Sequence, residues 1–234
     1  MNGQRLSAKE KDARFSPLYA SCMTQRIKHG ELLKLEKSGG AEKLVKAAKK
    51  ALAAAKEVVA KLTETFGLDD IKMAAAYFID AVFQDAMSLD GKNWDPRKAM
   101  ADSKVLRSLP DDRHLPGGDK DRKSSLVEQR LRSVEAYIRL YSTIGWVPRN
   151  GYNDRGLRAG LRKLDSMIGD AQTQGQRATF AELREVRHQV VSSFPKSWLE
   201  ERQPQGQQNP TLGDTLPEGG VDALKERVAS GNRR

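Results

Sequence analysis

"IKMAAAYFIDAVFQDAM", residues 71–87, is the most apolar stretch of this 234-residue chain, and its reading decides the fold. A bilayer span needs roughly 20 apolar residues, so this run is too short. It also carries Lys72, Asp80 and Asp85. It therefore reads as a core helix. Asp69 or Asp70 caps its start, and it ends near Leu89. Ile71, Tyr77, Phe78, Ile79, Val82, Phe83 and Met87 cover more than one face. A helix apolar over much of its circumference belongs in the middle of a bundle.

Outward from this segment the helix signals continue, and alternating strand patterns are almost absent. Upstream, residues 41–67 are rich in Ala, Lys and Glu, all strong helix formers. Leu44, Ala48, Leu52, Ala55, Val59, Leu62 and Phe66 recur there at steps of three and four and make one apolar face, with Gly67 as the stop. Before that, Ser16-Pro17 reads as an N-cap followed by proline at the first helical position, and Gly39-Gly40 closes the helix. Downstream, Asp95-Pro96 starts a short helix. "SLVE" (125–128) is a capping box opening a helix that turns Leu131, Val134, Ile138 and Tyr141 inward and ends at Gly145. "TFAE" (179–182) reads as a second capping box, before Leu183, Val186, Val190 and Phe194.

The chain thus reads as all-α: a multi-helix bundle with a flexible central loop and a disordered C-terminal tail. Residues 1–15 read as a flexible N-terminus, 16–107 as an N-terminal helical region and 124–202 as a C-terminal helical region with an Arg-rich face. Between the two regions, "SLPDDRHLPGGDKDRK" (108–123) holds two prolines, two glycines and eight charges, and reads as an exposed loop or hinge. From 203 the chain reads as a Gln/Pro/Gly linker with a short terminal helix. Whether the two helical regions share one core is left open by pattern alone, although the apolar helix at 71–87 argues that they do.

The formal net charge is +10, which suits a polyanionic partner. The single cysteine, Cys22, allows no intramolecular disulfide, and residues 1–16 lack the apolar run of a signal peptide. Both point to a cytoplasmic, intracellular protein. The excess of base is concentrated in two places. Residues 1–67 hold 14 basic residues, 11 of them Lys; residues 124–202 hold 13, 11 of them Arg. Lysine is a strongly hydrated point charge, whereas arginine grips phosphate with a planar fork and stacks on bases. The lysines at 43–61 read best as the wet face of a helix.

The strongest candidate surface is "GWVPRNGYNDRGLRAGLRK", residues 145–163. With Asp154 as N-cap, Arg155, Arg158 and Arg162 fall one above another on a helix face, with Lys163 beside them. Trp146, Arg149 and Tyr152 precede them on a loop. Arginines with aromatic neighbours at a helix start suit phosphate and base contact. Competing readings make Trp146 a core plug and pair the arginines with Asp165 or Asp170.

No catalytic signature emerges. His29, His114 and His188 are far apart, no zinc spacing exists, and Glu185-His188 lacks the second copy that a di-iron bundle needs. No cofactor and no metal are expected. The expectation is a non-enzymatic basic helical protein that contacts DNA or RNA as an accessory subunit of a nucleoprotein complex, without a membrane. The alternative is a structural or assembly protein, as of a mobile element or virion, whose basic faces meet acidic proteins.

Overall fold

The computed structural model describes residues 6–200, and one unit of the chain runs to Leu199. The tail expected from residue 203 lies outside the described residues. Among the described residues the fold is all-α: α1 (Ala8–Lys37), α2 (Glu42–Thr63), α3 (Leu68–Asp85), α4 (Pro96–Asp102), α5 (Leu126–Ile144), α6 (Asp154–Thr173), α7 (Arg177–Ser193) and α8 (Lys196–Leu199). Two 3₁₀ turns, Ser103–Ser108 and Asp112–His114, join α4 to α5. No described helix is long and apolar enough to cross a membrane.

The apolar segment at 71–87 takes the central position its composition demands. Ile71, Ala74, Phe78 and Val82 of α3 have no solvent exposure. Asp80 turns outward, to the rim of a cleft it shares with Gln84, Arg149 and Asn150, and partial burial there raises its carboxyl pKa. The second hub is α5, which packs against α3, α4, α6, α7 and the turn Ser103–Ser108. One continuous core joins Phe15 and Leu18 of α1 to Val190 of α7. The two helical regions therefore share a single core.

The first helix begins earlier than Ser16-Pro17 suggests. Ser7 is the N-cap, and a reciprocal capping box fixes it: the Ser7 N–H donates to Glu10 Oε2 at 2.7 Å, and the Glu10 N–H donates to Ser7 Oγ at 3.3 Å. Pro17 lies inside the helix. Residues 8–15 thus belong to the helix, and Phe15 packs against Phe66 and Tyr77. The start of α7 also differs. It begins at Arg177 with no side-chain cap, and Thr179 lies within it. Gly67 serves as the N-cap of α3 and not as a stop for α2, its N–H donating to Asp70 Oδ2 at 2.9 Å.

Residues 108–123 depart most from expectation. Asp112 is wholly buried. Its carboxylate accepts the Leu126 N–H at 2.6 Å and pairs with the Arg122 guanidinium at 3.2 Å. The segment therefore folds back on itself and satisfies one of the free N–H groups at the start of α5. Gly118 permits the fold: a Cβ there would lie 2.1 Å from the Asp112 carbonyl oxygen. Two ion pairs, Asp111–Arg113 and Asp112–Arg122, neutralise charge where the segment packs, and Asp119, Lys120, Asp121 and Lys123 stay exposed.

The α1–α2 hairpin stands partly apart. Leu52, Val59 and Phe66 are buried, but Leu44 and Leu62, expected on the same apolar face, are exposed. The cause is that α2 packs mainly on α1. A second helix covers only part of an apolar stripe. Lys43, Lys46, Lys49, Lys50, Lys56 and Lys61 are all exposed.

Candidate nucleic-acid interface

The loop from Gly145 to Asn153 leads into α6. Gly145 closes α5 in the left-handed region, with φ +66°. The N-cap of α6 is Asn153, whose Oδ1 accepts the Gly156 N–H at 2.7 Å. Asp154, read as the cap, is the first helical residue, and its carboxylate pairs with Arg158 at 3.0 Å.

This placement divides the predicted site residues. Arg149 and Arg155 are exposed, and neither is in an ion pair with a described residue. Trp146 is 42% exposed and so is no core plug. Arg158 is largely covered, and its guanidinium donates to both Asp154 and the Trp198 carbonyl, at 3.0 and 3.2 Å. It acts as a clamp between α6 and α8. Arg162 is exposed but has a partner within the chain, and Lys163 is half-buried. Tyr152 does not belong with the exposed aromatics. Its ring packs among Phe83, Tyr137, Phe194 and Trp198, with centroids 5.1–6.1 Å away. Burial pushes its hydroxyl up to about 12, with the Arg130 guanidinium and Ser133 acting in the opposite direction. The ring is thus partly buried and engaged by other rings, and what remains open of it lines a hollow beside α5. The ladder of three arginines is therefore one exposed cation, one clamp and one engaged side chain.

A different basic surface lies along α5. Successive side chains on a helix turn by about 100°, so Arg132, Glu135 and Arg139 form one outward strip beside the buried Leu131, Val134, Ile138 and Tyr141. That strip runs through three adjoining hollows. The first, of about 580 Å³, is lined by Arg130, Arg132, Phe194 and Trp198 among others. The second, of about 350 Å³, shares Arg132 with the first and adds Lys104, Glu135 and Arg139. The third, of about 510 Å³, shares Lys104 and Arg139 and adds Arg97. Five cations thus follow one groove that contains a single acid, Glu135.

All five are exposed. None is in an ion pair with a described carboxylate; Arg139 donates a hydrogen bond to the neutral Gln189 side chain. Several bases elsewhere are held in ion pairs. Arg187 pairs with Asp165 at 2.6 Å, and Asp102, buried, takes both Arg26 and Lys98. The groove brings five cations without such a partner onto one continuous surface. Among the described residues no group of three or more His, Cys, Asp and Glu side chains is placed to hold a metal ion.

Sequence reading missed these five residues. The abundance of arginine after residue 124 was the available signal, and the spacing of Arg132 and Arg139 against the inward residues of α5 would have placed two of them. Lys104 and Arg97 come to the groove only through tertiary packing of α4 and the turn Ser103–Ser108. No protein family, curated protein or solved structure matches the chain.

Proposed function

We propose that the protein is a non-enzymatic nucleic-acid-contacting subunit whose α5 groove follows the sugar-phosphate backbone. The observation that carries this reading is the run of Arg130, Arg132, Arg139, Lys104 and Arg97 through adjoining hollows without carboxylate partners. Keeping like charges close costs energy unless a polyanion meets them. Arginine in four of the five places supports phosphate as the ligand, because its fork binds phosphate oxygens in pairs. Trp146, Arg149 and Arg155 are outlying contacts in this account. The protein-partner half of the reading rests on the α1–α2 hairpin, where Ile27, Leu33, Leu44, Val58 and Leu62 remain exposed. That same hairpin favours the second reading, an assembly protein meeting other proteins.

Anisotropy titration of labelled DNA and RNA separates the two. Replacing Arg132 and Arg139 by Glu weakens binding roughly tenfold or more at low salt, since repulsion replaces attraction at phosphate distance. Replacing Lys46 and Lys50 of α2 by Glu has a much smaller effect. Equal losses from the two pairs, or no binding by the parent protein, would sink the groove assignment.

A further inference from the structure

The first hollow differs in kind from the rest of the groove. It adds a wall of rings to the charge. Phe194 ends α7, and Pro195 turns the chain into the four-residue α8 that carries Trp198. The Trp198 ring packs 5.5 Å from Phe194 and 5.1 Å from Tyr152, centroid to centroid. Arg158 holds the turn in place through the Trp198 carbonyl, at 3.2 Å. Trp198 nevertheless stays half-exposed and lines the hollow. Gln129 and Ser133, from adjacent turns of α5, form its floor, with the Ser133 hydroxyl donating to the Gln129 and Ser193 carbonyls. By the 100° step of the helix, Arg130 and Arg132 stand on either side of that floor. The hollow of about 580 Å³ lies within the ~300–1,000 Å³ usual for small-molecule sites.

A held indole, two flanking guanidinium groups and a polar floor have one ligand chemistry in common: a planar heteroaromatic ring attached to a phosphate. We propose that this hollow binds one nucleotide unit, its phosphate between Arg130 and Arg132 and its base stacked on Trp198. This rests on the reading of the groove as a backbone track and adds a preference to it. In a duplex each base face is covered by its neighbours, so a base can reach Trp198 only from a single strand. The groove then carries the adjoining phosphates past Arg132 and Arg139. Stacking of this kind tolerates every base, because each has a π face.

The test uses the full chain with three probes: a single-stranded oligonucleotide, the same sequence as a duplex, and a nucleoside 5′-monophosphate. The single strand binds more tightly than the duplex. Trp198→Ala lowers single-strand affinity by roughly five- to hundredfold and leaves duplex affinity and the salt slope unchanged. Trp198→Phe, which keeps a stacking ring and the packing on Tyr152, restores most of the loss. Should Trp198→Ala fail to fold by circular dichroism, Arg130→Gln reads the same site and lowers single-strand affinity more than duplex affinity. Duplex binding as tight as single-strand binding, with neither changed by Trp198→Ala, overturns the hollow and leaves the groove standing. Monophosphate binding that Trp198→Ala abolishes, with no strand bound, supports the hollow with free nucleotide as its source and overturns the groove. Failure of all three probes to bind overturns both.

Discussion

Asp112 shows what a single charged side chain does in this fold. It is buried, yet it ties the loop before α5 to the first N–H of that helix and to Arg122. A hydrogen bond to a charged group contributes about 1.5–3 kcal/mol, and removing one partner leaves the others without theirs. Asp112→Ala should therefore lower stability by about 3 kcal/mol, and Asp112→Asn, which keeps the shape and one acceptor, by less; urea unfolding measures both. An unchanged midpoint in Asp112→Ala would contradict the account of the loop. The sequence around Asp112 looks like solvent-exposed punctuation because composition counts charges without showing their pairing. Tyr152 misleads in the same way. Arginines and glycines surround it in sequence, and only the approach of α3, α5 and α8 encloses its ring. Trp146, by contrast, is as open as its loop setting suggests.

At the level of elements, α6 shows why two glycines can sit in a helix that needs to be firm. Gly156 and Gly160 weaken a helix by propensity. They are nonetheless where α5 crosses. A Cβ at Gly156 would lie 2.2 Å from the Tyr137 hydroxyl oxygen, and one at Gly160 would lie 2.8 Å from Leu140 Cδ2. Tyr137 is a fully buried, rigid ring whose hydroxyl already donates to the Gly151 carbonyl at 2.9 Å. Gly156→Ala should therefore destabilise the protein by about 1–3 kcal/mol, the usual cost of overpacking. Gly169 lies in the same helix with nothing near its missing Cβ. Gly169→Ala should stabilise by about 0.5–1 kcal/mol through lost unfolded-state entropy. Thermal melting of the two variants side by side gives opposite shifts; shifts of the same sign would refute the packing argument. The helices themselves were legible from period and caps. Their ends were less so, because several local signals compete. Ser7 with Glu10 and Ser16 with Pro17 are both valid starts, and the burial of Phe15 decides for the first.

On the scale of the molecule, one core holds the described helices together, and its members lie between Phe15 and Phe194, with partly buried residues reaching Leu199. A chain ended after Arg202 should keep its cooperative melting transition. A broad or lost transition would mean that residues beyond 202 contribute to that core. The charge follows a comparable logic. Whole-chain composition announces a surplus of ten positive charges but not where it is left unneutralised. Arg26, Lys98, Arg158 and Arg187 are held in ion pairs, whereas the packing of α4 beside α5 gathers Arg97, Lys104, Arg130, Arg132 and Arg139 without carboxylate partners. The central claim is that this groove meets phosphate. The most direct measurement is the salt dependence of nucleic-acid binding in the parent and in a protein with Arg130, Arg132 and Arg139 all replaced by Ala. Each lost phosphate contact removes about 0.9 from the slope of log K against log salt on a duplex and about 0.7 on a single strand. The triple variant, folded by circular dichroism, should show a slope shallower by about two to three. A slope equal to the parent's would contradict the claim.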